Sequence, residues 1–202
     1  MRTLAVAFLV FFSYKLSHAE PVVIQVGNRF GSGVAFSNNG ASNCFVLTAN
    51  HVVSDGPPSI TAIDLRGNQS FAELVNVQKD LDVALLKLSS PFKGTCDSKW
   101  PDSNWINAKA SSWSSKTQLE VRRMDNGRVT IVYLRWAGGT SSTITARHDD
   151  RMRIVSSDSG SPVFIDNEFV GIVKEIDIET DRVEIIRFDT IDANIGDRFK
   201  ST

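Results

Sequence analysis

The sequence predicts an all-β fold: two packed six-stranded antiparallel β-barrels with a short C-terminal helix. Val (20), Ile (15) and Thr (12) are abundant, and these side chains suit a pleated, half-buried surface. Short apolar stretches bounded by Gly, Asn, Asp and Ser also fall into two sets of six, separated by a segment that breaks the pattern. On pattern alone a single larger sandwich competes with two barrels, because periodicity does not distinguish them.

The first set comprises Val22–Gly27, Gly33–Phe36, Asn43–Ala49, Ser59–Leu65, Phe71–Val77 and Val83–Leu88. From Pro91 to Ser115 the chain is rich in Ser, Lys, Asn and Trp, lacks alternation, and reads as a long connection. The second set is Thr117–Met124, Arg128–Trp136, Ser142–Arg147, Ser161–Ile165, Phe169–Glu175 and Arg182–Phe188. Asp125-Asn126-Gly127 is a strong hairpin signal, because Asn-Gly tolerates the positive φ of a tight turn. Asp166-Asn167-Glu168 is a weaker one. Ile191, Ile195 and Phe199 stand four apart, on one face of a helix, so a closing helix is expected over Asp189–Phe199. The expected division is a first barrel over 20–96, a linker over 97–116 and a second barrel over 117–202.

Composition narrows the function. The chain has 202 residues, 42% hydrophobic and 22% charged, with a formal net charge of −1. This is ordinary for a folded soluble chain and unlike a disordered tail or a disulfide-dense miniprotein. The balanced charge offers no basic footprint, so no nucleic-acid partner is expected. Three His and two Cys leave few ways to build a transition-metal site, and neither metal nor cofactor is expected.

Residues 1–19 have the layout of a secretory signal peptide. A basic start at Arg2 precedes a nine-residue apolar run, Leu4–Phe12, and Ser17-His18-Ala19 supplies small residues at the cleavage-determining positions. A run this short spans only about half of a bilayer core. An uncleaved anchor or a buried first helix is the competing reading. Cleavage after Ala19 predicts a secreted or periplasmic protein without membrane attachment. In an oxidising compartment Cys44 and Cys96 become candidates for a disulfide, with two unrelated buried thiols as the alternative.

Three segments combine into one chemistry. Leu47-Thr48-Ala49-Asn50-His51-Val52-Val53 delivers a His at the end of a strand. Asp80-Leu81-Asp82-Val83-Ala84-Leu85-Leu86 places an Asp at the mouth of another. Ser156-Ser157-Asp158-Ser159-Gly160-Ser161-Pro162 sets a Ser in a tight polar turn. Each alone is commonplace, but the order His, Asp, Ser is one of the known chain orders of a nucleophilic triad. A serine hydroxyl is a poor nucleophile until a base takes its proton, and His51 is the one imidazole expected at a strand end. His148, in Arg147-His148-Asp149-Asp150, reads as a solvated loop residue.

These segments resemble the trypsin/chymotrypsin-like serine proteases, nearest in style to bacterial Deg/HtrA-like and glutamyl-endopeptidase-like members. Gly31-Ser32-Gly33-Val34-Ala35-Phe36 and Val170-Gly171-Ile172-Val173 extend the likeness over nearly all of the chain after residue 19. The resemblance implies the double β-barrel and an exported endopeptidase acting through an acyl-enzyme. Ser159 would be the nucleophile, His51 the general base and acid, and Asp82 the orienting carboxylate. Backbone amides of Ser157 and Ser159 would form the oxyanion hole, and the partner would be a protein or peptide substrate.

Three departures qualify that expectation. Ser157 stands where the family usually has Gly, and a side chain disfavours the unusual backbone angles of such a donor. The hole is then either malformed until substrate binds or simply accommodates the Ser. Asp158 lacks the new N-terminus that pairs with it in digestive members, so it needs local donors, a cation such as Arg153, or partial exposure. By resemblance, Arg153 lies at the base of the primary pocket, with Val173, Lys174 and Glu175 along its side. An Arg there suits an acidic or small residue before the scissile bond, unless it pairs with Asp158 or Glu175 and closes the pocket. Two rival functions remain: a protease-like binding protein, and the catalytic subunit of a secreted, toxin-like assembly with a carrier.

Overall fold

The β-branched stretches pair as strands throughout. A computed structural model describes residues 19–38, 43–54, 59–149 and 152–201; the expected signal peptide, apart from Ala19, lies outside them. The first barrel consists of β1 (Glu20–Val26), β2 (Arg29–Asn38), β3 (Asn43–Ala49), β4 (Ile60–Ile63), β5 (Gln69–Gln78) and β6 (Val83–Leu88). Its strands run antiparallel in the order β1-β2-β3-β6-β5-β4, and β1 pairs with β4 to close it. The second barrel consists of β7 (Gln118–Asp125), β8 (Arg128–Gly139), β9 (Thr143–His148), β10 (Pro162–Ile165), β11 (Glu168–Asp177) and β12 (Arg182–Arg187). It closes through the β10–β7 pair. Two closed barrels, and not one sandwich, are what the two sets of strands build.

Three apolar clusters explain the arrangement. Val22, Ile24, Val46, Ala84 and Leu86 fill the first barrel, while Val121, Val132, Leu134, Val163 and Ile185 fill the second. Between the barrels lie Phe36, Phe45, Leu47, Leu85, Phe164, Phe169 and Phe188. On β3 the alternation therefore sends Val46 into a barrel and Phe45 and Leu47 into the seam. A strand buried on both faces reads as an unbroken apolar run, as Cys44–Leu47 does.

Both expected hairpin turns carry positive φ at their central residues: 49° and 72° at Asn126 and Gly127, 52° and 65° at Asp166 and Asn167. The closing helix, here α3 (Phe188–Ser201), buries Ile191, Ile195 and Phe199 in the seam. Two short helices precede it, α1 (Asn50–Val53) and α2 (Asn104–Ala110). The second lies within the stretch expected as a plain connection, anchored by the fully buried Ile106. Beside it Trp100 stacks on Phe199 and donates to Asp192 Oδ1 at 2.7 Å, so the connection is bound to α3. The Cys44–Cys96 disulfide is present, with Cα atoms 5.6 Å apart, and ties β3 to the start of the connection.

Candidate active site

His51 is carried by α1, which continues directly from β3. That helix lies so close to β2 that a Cβ at Gly31 would collide with the Val52 side chain. Asp82 ends the β5–β6 connection in the left-handed region, φ 58°, a conformation that Asp adopts more readily than most residues. Its backbone is held on both sides, by Asp82 N–H to Lys79 O at 3.1 Å and Asn50 N–H to Asp82 O at 2.9 Å. The carboxylate then meets His51 twice: Oδ1 accepts the backbone N–H at 2.9 Å and Oδ2 stands 2.7 Å from the ring Nδ1. The second contact places the ring proton on Nδ1 and leaves Nε2 to act as a base. The Asp82 hydrogen bond holds the His51 pKa above the ordinary 6.5, against partial burial; the Glu175 charge adds to the rise and Arg29 opposes it.

Ser159 follows a single 3₁₀ turn, Ser156–Asp158, in the second barrel. Gly160, at φ 89°, turns the chain so that its N–H reaches Val173 O at 2.8 Å. This turn docks on the first barrel. Ser32 N–H donates to Ser159 O at 2.9 Å, and Ser32 Oγ donates to Ser157 O at 3.1 Å. Thr48 Oγ1, three residues before His51, donates to Ser32 O at 2.6 Å. A Cβ at Gly160 would collide with that same Ser32 carbonyl. The Ser159 turn is thereby bound to the strand that leads into His51.

Asp158 is 4% exposed and has two donors. Arg123 Nη1 lies 2.9 Å from Oδ2, and Val155 N–H donates to the same oxygen at 2.8 Å. Of the routes open to this carboxylate, the structure uses a local donor together with a cation, and the cation is Arg123 on β7 rather than Arg153. Arg153 contributes its backbone carbonyl, which accepts from Arg123 Nη1 at 3.0 Å.

Residues 31–172 match the family model for the trypsin-like peptidase domain. The chain belongs to that family. The serine endoprotease from Yersinia pestis is a structural neighbour, with a TM-score of 0.69 at 18% identity, covering 94% of this chain and 67% of that one; at this identity the likeness is one of fold. The comparison with curated proteins returned no match.

In this trypsin-like peptidase domain the expected oxyanion amides are not both free. Ser157 lies inside the 3₁₀ turn without positive φ, so its side chain is accommodated there. That conformation turns the Ser159 N–H toward Ser156 O, at 3.4 Å.

A cavity of about 440 Å³ opens beside the turn. One wall is Arg153, Ile154, Val155 and Ser156; the other is Ile176, Ile178 and Asp181. Arg153 is part of this lining, beside aliphatic side chains that no sequence motif marked. Val173 is buried in the second barrel's interior, where its backbone bonds Gly160 and Ser161. Lys174 pairs with Glu184 at 3.3 Å and Glu175 at 3.7 Å. Glu175 is exposed and lines a separate cleft with Thr145, Asp177, Arg182 and Glu184.

His148 departs from its expectation as a solvated loop residue. Its side chain is fully buried, since β9 extends one residue further than the sequence pattern indicates and carries the ring beneath the 152–156 strip. Among the described residues no group of three or more His, Cys, Asp or Glu stands close enough to hold a metal ion, and no helix is long and apolar enough to cross a membrane.

Proposed function

We propose that this chain is an exported serine endopeptidase. Its nucleophile is Ser159, its general base and acid is His51, and its orienting carboxylate is Asp82. The observation that carries the reading is the two-point hold of Asp82 on His51, beside a Ser159 turn bonded to the same strand pair through Ser32 and Thr48.

The mechanism follows from those contacts. His51 Nε2 takes the Ser159 hydroxyl proton as the oxygen attacks the peptide carbonyl, and Asp82 stabilises the imidazolium that forms. The backbone amides of Ser157 and Ser159 receive the developing negative charge once Ser159 N–H leaves Ser156 O. His51 then returns the proton to the departing amine, leaving an acyl-enzyme on Ser159 that water hydrolyses by the reverse sequence. Export is supported by the Cys44–Cys96 disulfide together with the N-terminal sequence.

A fluorophosphonate probe tests the assignment. Wild-type protein is expected to be labelled and the Ser159→Ala variant not; labelling that survives the substitution excludes Ser159. The Ser159 N–H to Ser156 O contact favours one alternative, a protease-like binding protein whose hole stays closed. It requires that wild-type protein neither takes the label nor cleaves any peptide, while still retaining a protein partner.

A further inference from the structure

His148 is a buried imidazole for which the triad chemistry has no use. Both of its nitrogens are engaged. Ile154 N–H donates to Nε2 at 2.9 Å, and Nδ1 lies 2.7 Å from Asp181 Oδ1. Because Nε2 accepts, the ring proton sits on Nδ1 and is donated to Asp181. A doubly protonated ring would have N–H facing N–H at Ile154, and that bond would be lost.

The two partners belong to the two chain segments that line the 440 Å³ cavity, Ile154 to one and Asp181 to the other. Asp181 belongs to the turn after β11 and has a positive φ of 54°; its carboxylate is 49% exposed apart from the His148 contact. Ile154 precedes Val155, whose N–H bonds Asp158 Oδ2 at 2.8 Å, so the wall held by His148 runs without a break into the Ser159 turn. The charged groups on the elements around the ring are Asp181 and Arg182, Arg153, Arg135 on β8, and Arg147 and Asp149 beside it. Of these, Arg135 and Asp149 are engaged with each other at 2.6 Å.

We propose that His148 is a positioning residue for substrate recognition: in its Nδ1–H form it ties together the two walls of the cavity beside the Ser159 turn. Peptides presenting an aliphatic side chain to Ile154, Val155 and Ile176 are then bound well only while that tie holds. The proposal rests on the peptidase reading of the site and adds the control of its pocket.

The test compares wild type, His148→Ala, His148→Gln and Asp181→Asn as full chains. Two quenched peptides are used, with Leu or Gly before the scissile bond, alongside fluorophosphonate labelling. His148→Ala is expected to raise KM for the Leu peptide by roughly tenfold, the scale of a lost buried hydrogen bond, with the Gly peptide and the labelling rate little changed. His148→Gln, which supplies one acceptor and one donor in place of the ring nitrogens, restores KM. Asp181→Asn, an exposed change that leaves folding intact, weakens the same preference. Leu-to-Gly discrimination that is equal in wild type and His148→Ala overturns the proposal, as does a side-chain ¹⁵N shift showing Nε2 protonated at neutral pH. Failure of wild type to label sinks the peptidase reading instead, and the ¹⁵N shift still decides the tie.

Discussion

Arg123 reaches Asp158 from β7, Nη1 to Oδ2 at 2.9 Å, and so neutralises the carboxylate immediately before Ser159. The pair is internal to the second barrel and needs no newly cut N-terminus. Removing one member of a buried pair leaves the other charge uncompensated, at a cost of about 3–5 kcal/mol. Arg123→Ala should therefore lower the urea midpoint and slow fluorophosphonate labelling. A midpoint equal to wild type would remove this role from Arg123.

The rate of labelling should rise with pH along a limb centred above 6.5, because the Asp82 hydrogen bond raises the His51 pKa. The sign for stability is opposite. A raised imidazole pKa contributes stabilisation that is complete below the unfolded-state value and is lost as pH rises through the folded-state value. Across that window the base becomes active as the ion pair weakens. Glu175→Gln should move the limb to lower pH and Arg29→Gln to higher pH, since the two charges act on His51 in opposite directions. Movement of both in the same direction would contradict the assignment.

Ser157→Gly should accelerate acylation. Glycine reaches positive φ without strain, which lets the 156–157 peptide reorient and frees the Ser159 N–H from Ser156 O. One oxyanion donor typically accounts for about 10²–10³ in rate, which sets the ceiling for the gain. Burst kinetics with an active ester would measure it, and an unchanged burst would mean that the hole forms equally well with Ser.

Gly160→Ala should be severe. The position has φ 89°, and an added Cβ would strike the Ser32 carbonyl that receives Thr48 Oγ1. Overpacking against backbone has no rotamer to escape into, so a loss of about 3 kcal/mol or more is expected, together with loss of labelling. Ser161→Ala, one residue on, serves as the control.

Cys44→Ala with Cys96→Ala opens a loop with a sequence separation of 52. Chain-entropy reasoning puts the cost at about 4 kcal/mol. Thermal unfolding with and without reductant should show the wild-type midpoint falling toward that of the double variant. Insensitivity of the wild type to reductant would exclude the bond.

Much of this was legible in the chain itself. Alternation and turn chemistry are local, so the strands, the Asn126-Gly127 turn and the helical face of Ile191, Ile195 and Phe199 could be read directly. The chain order of His51, Asp82 and Ser159 is what suggests the proposed triad. What escaped was whatever depends on residues distant in sequence. Arg123, and not Arg153, meets Asp158 because β7 pairs with β10 at Val121 and Val163, a register that no local pattern encodes. His148 is buried because the 152–156 strip and the turn at Asp181 close over it. Sequence alone named the groups proposed to perform the chemistry. Only the tertiary structure decided which charges those groups face, which amides remain free, and what shape the pocket takes, because these depend on contacts that exist only once both barrels have closed.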